Sequence, residues 1–192
     1  MSRYRHRILA QIQDLIRPLG VLSSALDFGS GDGFFASQWK SNGLVHAVTA
    51  VDVVERKSSI MVPILYDGVR LPFADRSFDL AYSVDVFHHC PDPPQAIADL
   101  SRCARRYLLI KDHTYRSAAG KFALATLDEI GNRKFGIPSP YLYQRRWDWI
   151  EQIEAGGWRR IALIHPMRCH TGILGAATNH LQFIGLWERL NA

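Results

Sequence analysis

Cysteine is scarce in this chain: three residues in 192, at positions 90, 103 and 169, with no Cys-x-x-Cys pair. That spacing argues against a disulfide framework and against a thiolate zinc site, and fits a reducing cytoplasm. Long apolar runs are missing as well. The longest, around Leu108 and from Val45 to Val51, fall well short of the ~18 residues that span a bilayer, so no membrane span is expected. There is no low-complexity tract, no repeat and no long block of like charge. The 23 Lys and Arg against 18 Asp and Glu leave a net charge of +5. These basic residues are scattered in pairs and triplets, a pattern that solvated helix faces carry more often than a nucleic-acid groove does. The basic N-terminus spaces Ile8, Ile12, Leu15 and Ile16 as a helix and offers no small-residue cleavage site, so a helix is expected there and not a secretory signal.

What is present fits one globular domain with one sizeable core: 47% hydrophobic and 21% charged residues over 192 positions. After the helix at 4–17, stopped by Pro18 and Gly20, the pattern changes period. Strand patterns at 21–28, 46–54, 62–67, 77–87 and 107–113 alternate with helical patterns at 33–41 and 94–107. Such alternation predicts an α/β fold with a mostly parallel sheet covered on both faces. The later half adds helices at 117–132 and 145–157, a Pro-rich stretch at 135–144, and two strands at 158–167 and 180–190 joined by a loop. No linker divides it. Trp147 and Trp149 cannot share one face of a helix, so at least one should be exposed or in a pocket wall.

The stretch Ala25-Leu-Asp-Phe-Gly-Ser-Gly-Asp-Gly33 places three glycines at every second position behind a short apolar strand. A strand-to-helix turn of this kind lets a ligand lie against backbone N–H groups with no Cβ in the way. Phe34 stands where a dinucleotide fingerprint has its third glycine, which disfavours pyrophosphate. Asp52 ends the second strand pattern, where a carboxylate accepts hydrogen bonds from a ribose diol. Asp67 ends the third, where it would accept from an exocyclic adenine amine beside Gly68. Taken singly, each of these residues also suits a cap or a turn. Their joint order favours a ligand.

With those intervals, the motifs at 25–33, 51–54, 66–93 and 107–113, which include Leu71-Pro-Phe and His88-His-Cys-Pro-Asp-Pro93, resemble the class I S-adenosylmethionine-dependent methyltransferases, in their small-molecule subgroup. The resemblance covers residues 21–113. It implies a Rossmann-like three-layer sandwich with a seven-stranded sheet whose last strand is antiparallel. It makes 21–113 the cofactor half and 114–192 the acceptor side. Carried over, Asp27 lies near the methionine amino group, and Gly29, Ser30 and Gly31 pass under the cofactor. Asp52 with Val53 meets the ribose, Asp67 and Gly68 the adenine, and Ser83 approaches from the fourth strand.

Methyl transfer from a sulfonium requires alignment and exclusion of water more than a strong base. For a hydroxyl acceptor an imidazole near neutral pKa helps. His113 is the first candidate, with Asp112, Lys111 and His88 or His89 beside it. One member of the His88–His89 pair is expected to organise its turn. Cys90 reads as inert. Asp112, His113 and His88 have ion-binding side chains, but no ligand spacing points to a metal. The stretches 109–113 and 127–149 resemble an uncharacterised branch of these enzymes, which implies that Asp128, Asn132 and Tyr143 belong to a lid over the acceptor; a helix end and core packing explain them as well. The expected activity is methyl transfer to a small organic acceptor, at oxygen first. An RNA or protein substrate is the alternative, weakened by the missing Asn/Asp-Pro-Pro-Tyr/Phe element. A non-catalytic cofactor-binding partner is the other.

Overall fold

The computed structural model describes residues 3–132 and 140–190. Among the described residues are eight strands: β1 Leu22–Phe28, β2 Val45–Asp52, β3 Ile64–Leu65, β4 Phe78–Val84, β5 Ala104–Tyr115, β6 Gln144–Arg145, β7 Trp158–Ile164 and β8 Gln182–Arg189. Seven of them form one sheet in the order β3-β2-β1-β4-β5-β8-β7, and β6 pairs with the far end of β5. The pairs from β3 through β5 are parallel, and β8 lies antiparallel between β5 and β7. The expected α/β sheet with its antiparallel last strand is therefore present.

The sheet is buried on both faces because its strands carry apolar residues on both. On one side Ile8, Ile12 and Ile16 of α1 (Arg3–Ile16) and Phe34 and Trp39 of α2 (Phe34–Ser41) pack on Tyr82 and Leu109. On the other, Ile97 and Leu100 of α3 (Pro93–Cys103) and Trp149 and Ile153 of α5 (Asp148–Ala155) pack on Leu26, Phe28 and Leu108. Asp92 starts α3 by accepting from the Gln95 N–H at 3.0 Å, with Pro93 preset for the first turn. No described helix is long and apolar enough to cross a membrane.

Several expected elements shift. The strand at 62–67 shrinks to Ile64–Leu65, because Pro63 lacks a ladder donor and the edge has a neighbour on one side only. β5 begins at Ala104, taking over the end of the expected helix, since Tyr107 to Ile110 are needed between β4 and β8. The loop before β8 contains a short helix, α6 (Gly172–Thr178), after α4 (Ala118–Asn132) in chain order. Trp147 precedes α5 instead of lying on it; half-buried, it packs edge-on against His165 and Phe183, while Trp149 is buried. Residues 133–139 of the Pro-rich stretch and the Asn132 side chain lie outside the described residues.

Gly185 sits mid-sheet on β8, opposite Ile110 and Leu163. A Cβ there would fall 2.1 Å from the buried Trp187 ring. Gly185→Ala is expected to destabilise the fold by about 1–3 kcal/mol, as overpacked cores do. Urea unfolding should show a lower midpoint with an unchanged slope; an unmoved midpoint would contradict this packing.

Candidate active site

The carboxyl ends of β1, β2, β4 and β5 open on one edge, where the connections to the helices diverge. After β1 the chain turns through Gly29, Gly31 and Gly33 at φ of 69°, 62° and 77°. Gly29 tolerates no substitute, because a Cβ would stand 2.4 Å from Val86 Cγ1 in a left-handed backbone conformation. The N–H groups of Gly29 and Ser30 donate to the Val51 carbonyl at 2.9 and 3.1 Å. The Gly31 N–H donates to Asp52 Oδ2 at 2.8 Å, and the Val53 N–H to Oδ1 at 2.7 Å. The turn and the end of β2 thus become one wall. A cleft of about 210 Å³ lies against it, lined by Gly29, Asp52, Val53, Tyr66, Gly68 and Val86 among others.

The structure brings most of the candidate cofactor residues to this wall or beneath it. Asp27 is buried under the turn, and its Oδ2 has no hydrogen-bond partner among the described residues. Burial pushes its carboxyl up to about 7, against the pull of the Tyr82 hydroxyl. The Ser30 and Ser83 hydroxyls are likewise buried and unpartnered. Val53 is an exposed part of the wall. Asp67 stands apart: exposed, it accepts from the Val69 and Arg70 N–H groups at 2.9 and 3.3 Å, and it does not line the cleft. The adjacent Gly68 does, as does Tyr66, whose ring packs against Phe28.

Between β4 and β5 lies a charged knot that sequence reasoning did not assemble. Lys111 is fully buried, and its ammonium donates to Asp85, to Tyr4 Oη at 2.7 Å and to Gln182 Oε1 at 2.7 Å. Tyr4 Oη in turn donates to Asp85 Oδ2 at 2.9 Å. Asp85 is held at φ 57°, an unusual conformation for a residue with a side chain. Arg5 grips Asp32 of the glycine turn through two bonds at 2.8 and 2.5 Å. The N-terminal helix α1 therefore straps both the turn and the ends of β4 and β5. Only the register Val84↔Lys111 makes the Asp85–Lys111 pairing visible.

Beyond that knot the structure gathers His88, Asp112 and His113 into one cluster, with His89, Asp128 and Tyr143 against it. Asp112 is fully buried; Oδ2 accepts from the Phe87 N–H at 3.0 Å and Oδ1 from the His113 N–H at 2.8 Å. The same Oδ1 lies 2.6 Å from His88 Nδ1 and 3.1 Å from His113 Nδ1. Burial opposes ionisation of Asp112, yet the two imidazoles hold its carboxyl well below the usual range. Burial also opposes a charge on His88, but Asp112 and Asp128 outweigh it and push His88 up to about 10. A protonated His88 has no lone pair to offer. His113 moves the opposite way: burial and the Lys111 ammonium push it down, so it is neutral near pH 7. With Nδ1–H assigned to Asp112, its Nε2 carries the lone pair. Burial and the His88 charge push His89 down to about 4. Burial lifts the Cys90 thiol to about 12, which leaves it inert. Tyr143 stacks on His88 at 5.2 Å and donates to Asp128 Oδ2 at 3.2 Å.

A methyltransferase-domain family model matches residues 26–107, the segment that builds the turn, Asp52, the histidine turn and the start of β5. A malonyl-[acyl-carrier protein] O-methyltransferase of Erwinia pyrifoliae is 33% identical over 115 residues, 55% of this chain and 42% of that protein. Its counterpart from Serratia marcescens is 32% identical over 85 residues, 42% of this chain and 33% of that protein. The chain thus spans well under half the length of these curated relatives. Among solved structures, an S-adenosylmethionine-dependent methyltransferase from Mesorhizobium loti superposes with a TM-score of 0.67 at 13% identity, covering 98% of this chain and 99% of that one. One from Aquifex aeolicus gives 0.62 at 16% identity, covering 98% and 94%. Residues 26–107 thus match the methyltransferase-domain family, and the strand order and the solved neighbours show the fold of S-adenosylmethionine-dependent methyltransferases across the described chain.

Proposed function

We propose that the chain transfers the methyl group of S-adenosylmethionine to an oxygen of a small organic acceptor, with His113 receiving the acceptor's proton. The observation that carries the reading is Asp52, fixed at the end of β2 by the glycine turn inside the cleft that Tyr66 and Gly68 also line. The residues present fit the cofactor. Unpartnered oxygens of Asp27, Ser30 and Ser83 are buried beside the turn, and such atoms ask for donors or acceptors from a ligand. Asp52 would hold the ribose diol, Gly68 and Tyr66 the adenine, and Asp27 the methionine amino group. The match to two O-methyltransferases supports oxygen as the target.

Bound S-adenosylmethionine supplies an electrophilic methyl on a sulfonium. The chain's own contribution is alignment and proton handling. Asp85, which lines the cofactor cleft, has Oδ1 3.7 Å from His113 Nδ1. One residue beyond His113, Thr114 lines a separate cavity of about 460 Å³ under α4 and α6, a suitable room for the acceptor. His113 lines neither space itself, but it lies beside Asp85 of the first and next in the chain to Thr114 of the second. Its Nε2 takes the acceptor proton as the oxygen attacks, and Asp112 stabilises the imidazolium that forms. His88, already charged, fixes Asp112 instead of acting as a base.

Calorimetry with S-adenosylmethionine tests the first half. Asp52→Ala should weaken binding by about 1–3 kcal/mol, the loss of charge-assisted hydrogen bonds; unchanged affinity would contradict the assignment. His113→Ala should lower turnover of a responsive phenol by about a hundredfold or more while cofactor affinity stays within about twofold. Equal turnover would remove His113 from the mechanism. Asp27 gives a pH test with a definite sign. Its carboxyl is raised from 3.8 to about 7 in the folded, cofactor-free protein, so the folded chain keeps a proton that the unfolded chain has lost. Stability should fall as pH rises from about 4 to about 7. Asp27→Asn should therefore melt higher than the unmodified protein at pH 8, converge with it near pH 4, and bind the cofactor more weakly. A variant that melts lower at pH 8 would contradict the buried, uncompensated carboxylate.

A further inference from the structure

We infer that His88 Nε2, His89 Nε2 and Asp128 Oδ1 form a site for a divalent transition-metal ion of the zinc class. Asp128 Oδ1 lies 3.6 Å from His88 Nε2 and 3.6 Å from His89 Nε2, and the three donor atoms all fall within 4.8 Å of one another. Those gaps exceed a hydrogen bond. They match the edge of a tetrahedron: ligands at 2.0–2.2 Å from a central ion are about 3.4 Å apart. Two imidazoles and a carboxylate are a donor set that binds first-row divalent ions, the ion displacing the proton that His88 Nε2 carries in the metal-free chain, and three protein ligands leave the fourth position to water or a substrate oxygen.

The surroundings are those of a ligand set. His88 gives its other nitrogen, Nδ1, to Asp112 at 2.6 Å, which fixes the ring and aims Nε2 at Asp128. A carboxylate behind an imidazole is the usual second partner of a metal-bound histidine. Asp128 is held in the same way, its Oδ2 accepting from Tyr143 Oη at 3.2 Å. The donors come from two places, the turn Phe87–His89 and helix α4, so the ion would pin α4 to the end of β4. His89 also lines the cofactor cleft, which puts the ion at its border. The other nearby trio, His88, Asp112 and His113, is already closed by direct contacts of 2.6 and 3.1 Å and has no gap for an ion.

The test needs neither cofactor nor acceptor, so it stands apart from the methyl-transfer reading. The chain is stripped with a chelator and titrated with Co²⁺, followed by its visible d–d absorption and by the rise in melting temperature that a ligand of the folded state produces. One ion per chain with a tetrahedral spectrum is expected. Asp128→Asn and His89→Ala should each weaken binding by at least about tenfold, and Tyr143→Phe, which removes only the support of Asp128, by about tenfold. Circular dichroism in metal-free buffer checks that each variant is folded. Should Asp128→Asn fail to fold, Tyr143→Phe decides. Absence of a Co²⁺ spectrum in the unmodified chain, or equal binding by the folded variants, would overturn the site.

Discussion

The hydrogen bond from the Gly31 N–H to the Asp52 carboxylate couples the first two strand ends, and the cofactor cleft depends on it. Parallel strands bring their carboxyl ends to one edge, but the edge alone is not a site. It becomes one because the glycine turn brings its N–H groups to Asp52 and the Val51 carbonyl while leaving Gly29 bare against Val86. The wall is therefore built before any ligand arrives, and little reorganisation is left for binding. A side chain at Gly29 would undo it from the backbone outward.

Next to this wall the molecule concentrates charge. Asp112 and Asp85 each serve two cationic or imidazole partners, and the outcome differs with what surrounds them. Asp112 holds His88 charged and His113 oriented. Asp85 balances the buried Lys111 and receives Tyr4. Two adjacent imidazoles thereby acquire opposite proton affinities in one cluster, a separation that burial alone would not produce. The N-terminal helix belongs to this arrangement as much as the sheet does, since Tyr4 and Arg5 reach both the charged knot and the glycine turn.

Much of this was legible in the sequence. Period-2 and period-3.6 patterns separate cleanly over residues 21–113, and the glycine turn with Asp52 follows from spacing alone. Asp67 serves its own turn, as a carboxylate after a short edge strand can, and Gly68 and Tyr66 line the cleft beside it. The roles of Asp85, Tyr4 and Arg5 depend on register and on where α1 crosses, which no local pattern encodes. Asp128 came out as a lid or helix-end candidate, since its contacts with His88 and His89 bridge about forty positions of chain. α6 was hidden by a Gly-rich, small-residue stretch with poor helix propensity.

A crystal structure of the complex with S-adenosylhomocysteine is the most direct test of the central claim. It should show both ribose hydroxyls on the Asp52 carboxylate and the adenine between Tyr66 and Gly68. A product cofactor bound elsewhere, with Asp52 still held only by Gly31 and Val53, would contradict the account.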